Sequence, residues 1–130
     1  MLLDTNVYQA FLRKDSRLVE PLKQSTTMTF PLAALAELRK GFLGGTRLAE
    51  NERRLEQFML QGEVGVALPT KQTAEYFAEL WVFCHSKGRA LSDNDLWIAA
   101  TALETGEMLL TLDKDFVVFS DYPGLSVIVL

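Results

Sequence analysis

Five short apolar segments, spaced along the chain by stretches of helical periodicity, constrain this sequence more than any other feature. They are Leu2-Leu3 and residues 25–30, 64–68, 108–112 and 126–130. A strand that is apolar on both faces has to be covered on both, and a helix between successive strands supplies that cover while returning the chain to its starting edge. The expected fold class is therefore α/β, one domain over residues 1–130 with a central parallel β-sheet of about five short strands flanked by helices. Crossovers in such a sheet are right-handed, so the strands present their C-terminal ends along one edge.

The intervening helices can be placed from caps and apolar spacing. After Asp4, with Thr5 or Asn6 as cap, Val7, Tyr8, Phe11 and Leu12 recur at helical spacing, and Leu18, Val19 and Leu22 make a second, short pattern. Pro31 suits the first turn of a helix over 32–43, where its missing N–H is no loss. The first half of that helix is apolar all round, which predicts burial on most sides, and Gly44-Gly45 stops it. A polar helix over 48–61 returns from the glycine pair to complete a helical hairpin. The next helix, 70–87, shows Ala74, Phe77, Ala78, Trp81 and Cys84 as its expected core stripe. A last one opens at Ser92, with Asp95 at the reciprocal capping-box position, and turns at Gly106. Only three residues precede Asp4, so the first strand has little length to pair.

Composition narrows the chemistry. Of 130 residues 48% are hydrophobic, with one cysteine, Cys84, and one histidine, His85. That rules out a disulfide framework, a Cys/His zinc site and a two-histidine nuclease. There is no glycine-rich phosphate loop, no leader pattern and no apolar run of membrane-spanning length, so a cytoplasmic setting is expected. The net charge is −4, from 17 acidic and 13 basic residues. If four acids hold a metal, the remainder balances the lysines and arginines, and phosphate binding rests on small basic patches and on the metal.

Those acids are the candidate site. Asp4 ends the first strand and Asp113 follows the fourth, at the edge where ligands bind in sheets of this kind. Asp95 opens the helix that precedes the fourth strand, where backbone N–H groups favour its ionised form. Glu37 lies on the 32–43 helix among Ala33, Ala34, Lys40 and Gly41, all but the lysine small enough for another backbone to approach. Carboxylates crowded together repel unless a cation intervenes, and oxygen ligands without histidine or thiolate select Mg²⁺ or Mn²⁺. Water activated by such an ion attacks phosphodiesters.

Four stretches carry a resemblance: Leu2-Leu3-Asp4-Thr5-Asn6-Val7, Ala36-Glu37-Leu38-Arg39-Lys40-Gly41, Asn94-Asp95-Leu96-Trp97-Ile98-Ala99-Ala100-Thr101-Ala102 and Leu110-Thr111-Leu112-Asp113-Lys114-Asp115-Phe116. In this order they resemble the motifs of the PIN-domain family, and most of all its VapC-type toxins from toxin–antitoxin pairs. The resemblance implies a metal-dependent endoribonuclease acting on RNA, frequently a homodimer, and held in check by a cognate VapB-like antitoxin. It makes Asp4, Glu37, Asp95 and Asp113 the catalytic metal ligands, with Asp4 central and Asp113 acting through water or a second ion. Thr5 and Thr111 match hydroxyls that orient the carboxylates, and Asn6, Asp93 and Asp115 rank as accessories. Arg39, Lys40, Lys87, Arg89 and Lys114 are candidate phosphate contacts. Phe42, Phe58 and Met59, read as exposed on the hairpin, are the candidate antitoxin groove. The alternative is a PIN-fold scaffold or regulatory binding module with a weak or silent site. A phosphoacceptor receiver would need an aspartate where Leu68-Pro69 stand, and a haloacid-dehalogenase-type phosphatase an acid where Asn6 stands.

Overall fold

The chain pairs its strands β1 (Leu2–Leu3), β2 (Thr29–Pro31), β3 (Gly65–Ala67), β4 (Leu109–Thr111) and β5 (Val127–Val129) into one sheet, as described for residues 1–130 by a computed structural model. Every neighbouring pair is parallel, and the order is β3-β2-β1-β4-β5. The chain builds outward from β1 to β3, then crosses back and adds β4 on the other side of β1. The strand order thus reverses between β1 and β4, and a crevice opens there at the C-terminal ends of the strands. Leu2, Leu3, Leu109 and Leu110 are fully buried, so two short strands form the centre of the sheet.

The second strand is shorter than the β-branched run that announced it. The Ser25 hydroxyl donates to the Thr27 carbonyl at 2.5 Å, and such local side-chain bonds hold the backbone in a turn rather than a ladder. Pro31 ends β2 and occupies the cap position of the next helix, one residue before the first turn predicted for it.

Six helices flank the sheet: α1 (Thr5–Leu12), α2 (Val19–Lys23), α3 (Leu32–Leu43), α4 (Leu48–Gln61), α5 (Lys71–Ser86) and α6 (Asp93–Thr105). The hairpin of α3 and α4 has the expected bounds. The cap of α1 is Asp4 itself, whose carboxylate accepts from the Thr5 N–H, rather than Thr5 or Asn6. Gly106 closes α6 in the left-handed region at φ 68°, which favours a residue without Cβ. A 3-10 segment, Lys114–Asp121, follows β4 where only a connection was expected, and it buries Phe116 and Phe119.

Two burial expectations fail. In the first half of α3 only Ala34 is buried, while Leu32 is 43% exposed, because neighbouring helices cover a single stripe of Ala34 and Leu38. Leu32 and Ala36 instead open onto a surface groove shared with Pro69 and Trp97. On α5 the buried stripe is Thr73, Leu80 and Cys84, with Phe77 and Phe83 half-buried, so Ala74, Ala78 and Trp81 face outward. Trp81 is 44% exposed and stacks on His85. Two apolar stripes satisfied the helical period. Hydrogen bonds from the Thr70 and Thr73 hydroxyls to Glu104 of α6 select the one that turns inward.

Phe58 also departs from expectation. Its ring meets Tyr8 at 5.2 Å and Phe11 at 4.7 Å in edge-to-face contacts, and only 9% of the residue is exposed. It anchors α4 to α1 and, through Phe30, to the sheet, and what stays uncovered lines a groove with Phe11, Leu22 and Met28 rather than standing exposed, while Phe42 and Met59 are half-buried beside the core. Phe58→Ala is predicted to destabilise the fold by about 3–5 kcal/mol, the usual cost of emptying a buried aromatic site. Urea denaturation measures this, and a midpoint within error of the wild type would contradict the packing.

Candidate active site

Asp4 leaves β1 at the crevice between β1 and β4, and only 4% of it is exposed. Its Oδ1 accepts the Thr5 backbone N–H at 2.7 Å, and its Oδ2 accepts the Thr111 hydroxyl at 2.6 Å and the Asn6 amide at 2.8 Å. Asn6 also reaches β4's exit, its Oδ1 accepting the Leu112 N–H at 3.0 Å. Thr111 in turn accepts the Asp113 N–H at 2.9 Å. One carboxylate, one hydroxyl and one amide therefore staple together the ends of two strands. Thr111 orients the carboxylate as expected. Thr5 does so through its backbone, and its hydroxyl has no partner.

The other three acids surround this staple. Asp95 opens α6 over the same edge; the Ser92 hydroxyl donates to its Oδ2 at 2.6 Å, and its own N–H donates to Ser92 Oγ at 3.2 Å. The pair closes between side chains, rather than through the Ser92 backbone as a capping box would. Glu37, projecting from α3, accepts from the side-chain amide of Asn94. Asp113 caps the 3-10 segment, accepting the Asp115 N–H at 2.9 Å. Glu37, Asp95 and Asp113 line one hollow of about 560 Å³ together with Lys40, Ser92 and Asn94. Asp4 lies near enough for the charges of Asp95 and Glu37 to act on its carboxyl. In their present rotamers no three Asp, Glu, His or Cys side chains converge on a point that would hold a metal ion.

Of the basic candidates, Lys40 lines the hollow. Arg39 leans on Glu52 of α4 at 3.7 Å, and Lys87 pairs with Asp121 at 3.5 Å over the Phe83 ring. Arg89 and Lys114 are exposed and unpaired, and Asp93 and Asp115 are exposed at the rim. Sequence reasoning gave Asn94 no role. Its signal was an amide between two aspartates in the first turn of the helix, where a third acid would have been equally good for the helix dipole.

Burial pushes the Asp4 carboxyl up from 3.8 to about 6; bonds from Thr111 and Thr5 pull it down, and the Asp95 and Glu37 charges add to the rise. A raised folded-state value means the native protein holds the proton more tightly than the unfolded chain. Stability associated with this group is therefore lost as pH climbs from about 4 to about 6 and stays lost above. Asp4→Asn carries an amide with a pH-independent offset. In chelator, the stability difference between variant and wild type is predicted to shift toward the variant by roughly 3 kcal/mol across that window. Parallel curves from thermal denaturation would contradict it.

Comparison with known proteins accords with this geometry. The family model for the PIN domain matches residues 1–122. Ribonuclease VapC5 of Mycobacterium tuberculosis is 27% identical over 130 residues, covering 98% of this chain and 93% of that protein. Ribonuclease VapC2 of Rickettsia felis is 31% identical over 114 residues, covering 85% and 84%. Among solved structures, VapBC2 from Rickettsia felis, bound to a promoter DNA fragment, superposes with a TM-score of 0.80 at 26% identity, covering 99% of this chain and 97% of that one. VapBC-1 from nontypeable Haemophilus influenzae gives 0.82 at 25% identity, covering 98% and 96%. With its parallel sheet, its acids gathered where the strand order reverses, and these likenesses along nearly its whole length, the chain belongs to the PIN-domain family.

Proposed function

We infer that this chain is a VapC-type toxin, a metal-dependent endoribonuclease that hydrolyses RNA phosphodiester bonds. The observation that carries the reading is the buried Asp4 carboxylate, pinned by Thr111 and Asn6 beside a hollow lined by Glu37, Asp95 and Asp113. The names of the relatives support it. The whole of residues 1–130 acts as one PIN unit.

The donor chemistry fits a divalent cation. A desolvated carboxylate with two acidic neighbours is held in a charge state that a cation would relieve, and all the available ligands are hard oxygens. Asp4, Glu37 and Asp95 would hold the ion, with Asp113 near it. The hydrogen bonds now made by Glu37 to Asn94 and by Asp95 to Ser92 are exposed, and exchanging one such bond for a ligand contact costs about 1 kcal/mol. Mg²⁺ or Mn²⁺ bound there supplies an activated water and polarises a phosphate oxygen. Thr111 and Asn6 keep Asp4 in place throughout, Asn94 holds Glu37 only until the ion takes it, and Lys40 offsets the charge of the entering phosphate. A cognate VapB-like antitoxin and a second copy of the chain are the proposed protein partners, and the cytoplasm the proposed setting. No helix is long and apolar enough to cross a membrane.

Incubation with a mixed RNA pool in Mn²⁺ or Mg²⁺ tests the activity. Wild type is predicted to cleave, and Asp4→Asn to lose at least about a hundredfold in rate while remaining folded. Mn²⁺ at a hundred times its Kd should stabilise the wild type by about 2.7 kcal/mol and the variant by much less. Cleavage that persists in Asp4→Asn or in chelator would remove the mechanism. A silent scaffold would show neither cleavage nor the metal-dependent rise in Tm.

A further inference from the structure

We propose that the cleft between α1, α3 and α4 is a nucleobase subsite, which takes an unstacked base next to the phosphate positioned at the acidic hollow. The proposal rests on the ribonuclease reading above and adds a specificity element to it. The cleft has a volume of about 500 Å³, within the range of small-molecule sites. Glu37 and Lys40 line both this cleft and the acidic hollow, so the two are contiguous.

Two observations point to an occupant. In the entire chain only Thr5 Oγ1 and Tyr8 Oη are buried side-chain polar atoms without a hydrogen-bond partner, and both residues line this cleft. Thr5 is 6% exposed and Tyr8 1%, so neither hydroxyl has ready recourse to bulk water. Buried hydroxyls left unpaired are costly and uncommon, and a ligand recovers that cost once a side-chain shift at the floor of the cleft brings a hydroxyl within its reach. Gly41 is the second observation. It stands inside α3, where glycine weakens a helix, yet a Cβ there would meet nothing within 4 Å. No neighbour within the chain demands the glycine, and it too lines the cleft.

The remaining lining favours a base over a peptide. Gln9 of α1 and Asn51 of α4 bring side-chain amides, each both donor and acceptor, and Phe42 brings a flat apolar face. Hydroxyls and amides match the mixed donor and acceptor edge of a nucleobase, and an aromatic ring is what a splayed base stacks upon. A base is neutral, so Glu37 at the mouth does not repel it, and Lys40 stands where its attached phosphate would lie.

The four nucleoside 5′-monophosphates contain no phosphodiester bond and probe the cleft without being cleaved. Titrated into the full-length chain in Mg²⁺ and followed by NMR, one of them is predicted to bind about tenfold more tightly than the least favoured, moving the Tyr8 and Gly41 signals. Tyr8→Phe should abolish most of that discrimination, and Gly41→Leu, whose Cβ meets no atom within 4 Å and whose longer side chain is chosen to plug the cleft, should abolish the binding at these signals. Both variants should keep the wild-type Mn²⁺-dependent rise in Tm, which separates a lost subsite from a lost fold. Equal binding of all four nucleotides, or discrimination unchanged by both variants, overturns the subsite. So does a result in which Gly41→Leu changes only the capture of an antitoxin peptide. Base-selective binding in a chain that cleaves no RNA would sink the ribonuclease reading and leave the subsite standing, whereas cleavage without base-selective binding would sink the subsite alone.

Discussion

The hydrogen bond from the Thr111 hydroxyl to the Asp4 carboxylate, 2.6 Å long and buried, is the contact on which the rest of the site depends. It joins the ends of β1 and β4, the two strands between which the order of the sheet reverses. Both strands are short, and the side-chain bond adds to the last ladder bond between them, from the Asp4 N–H to the Leu110 carbonyl at 3.0 Å. Asn6 widens the contact into a network, bonding Asp4, Thr111 and the Leu112 N–H together. A charged acceptor shortens and strengthens such bonds, so the negative charge itself helps to hold the two strand ends together.

That charge is also the source of tension in the fold. Removing a carboxylate from water favours its protonated form, and two further acids on α3 and α6 push in the same direction. Local donors offset only part of this. The protein thus keeps a group poised between two charge states at the mouth of the sheet, a condition expected at functional sites more often than at structural ion pairs. Elsewhere the acids are conventionally placed, as in Asp15, whose carboxyl the Arg17 guanidinium holds down at about 2.

Much of this was legible in the sequence, and what was not has identifiable causes. The alternation of apolar runs and helical patterns foretold a parallel sheet, and glycines at 44, 45 and 106 marked the helix ends where the chain turns. Asp4 was recognisable because it follows an apolar strand at once. The network that Asn6 makes beyond Asp4 is not legible in the sequence, because its partners Thr111 and Leu112 are more than a hundred residues away in the chain. Asn94 was missed for the same reason, since its bond to Glu37 joins two helices. The stripe on α5 was misread because two apolar faces fitted one period, and the polar bonds to Glu104 that choose between them are again long-range. Phe58 was misplaced because a polar helix gives few apolar positions, and nothing in its own sequence says that the fifty-eighth residue meets the eighth.

The central claim is that Asp4 and its acidic neighbours form one cation-binding centre. Crystals of the full chain grown or soaked in Mn²⁺, with anomalous diffraction recorded at the manganese edge, test it most directly. The account predicts a single dominant peak in the hollow, about 2.1–2.2 Å from an Asp4 carboxylate oxygen, with the carboxylates of Glu37 and Asp95 turned away from Asn94 and Ser92 toward it. Manganese bound only on another face, or a hollow left without metal at saturating concentration while Glu37 and Asp95 keep their present partners, would contradict it.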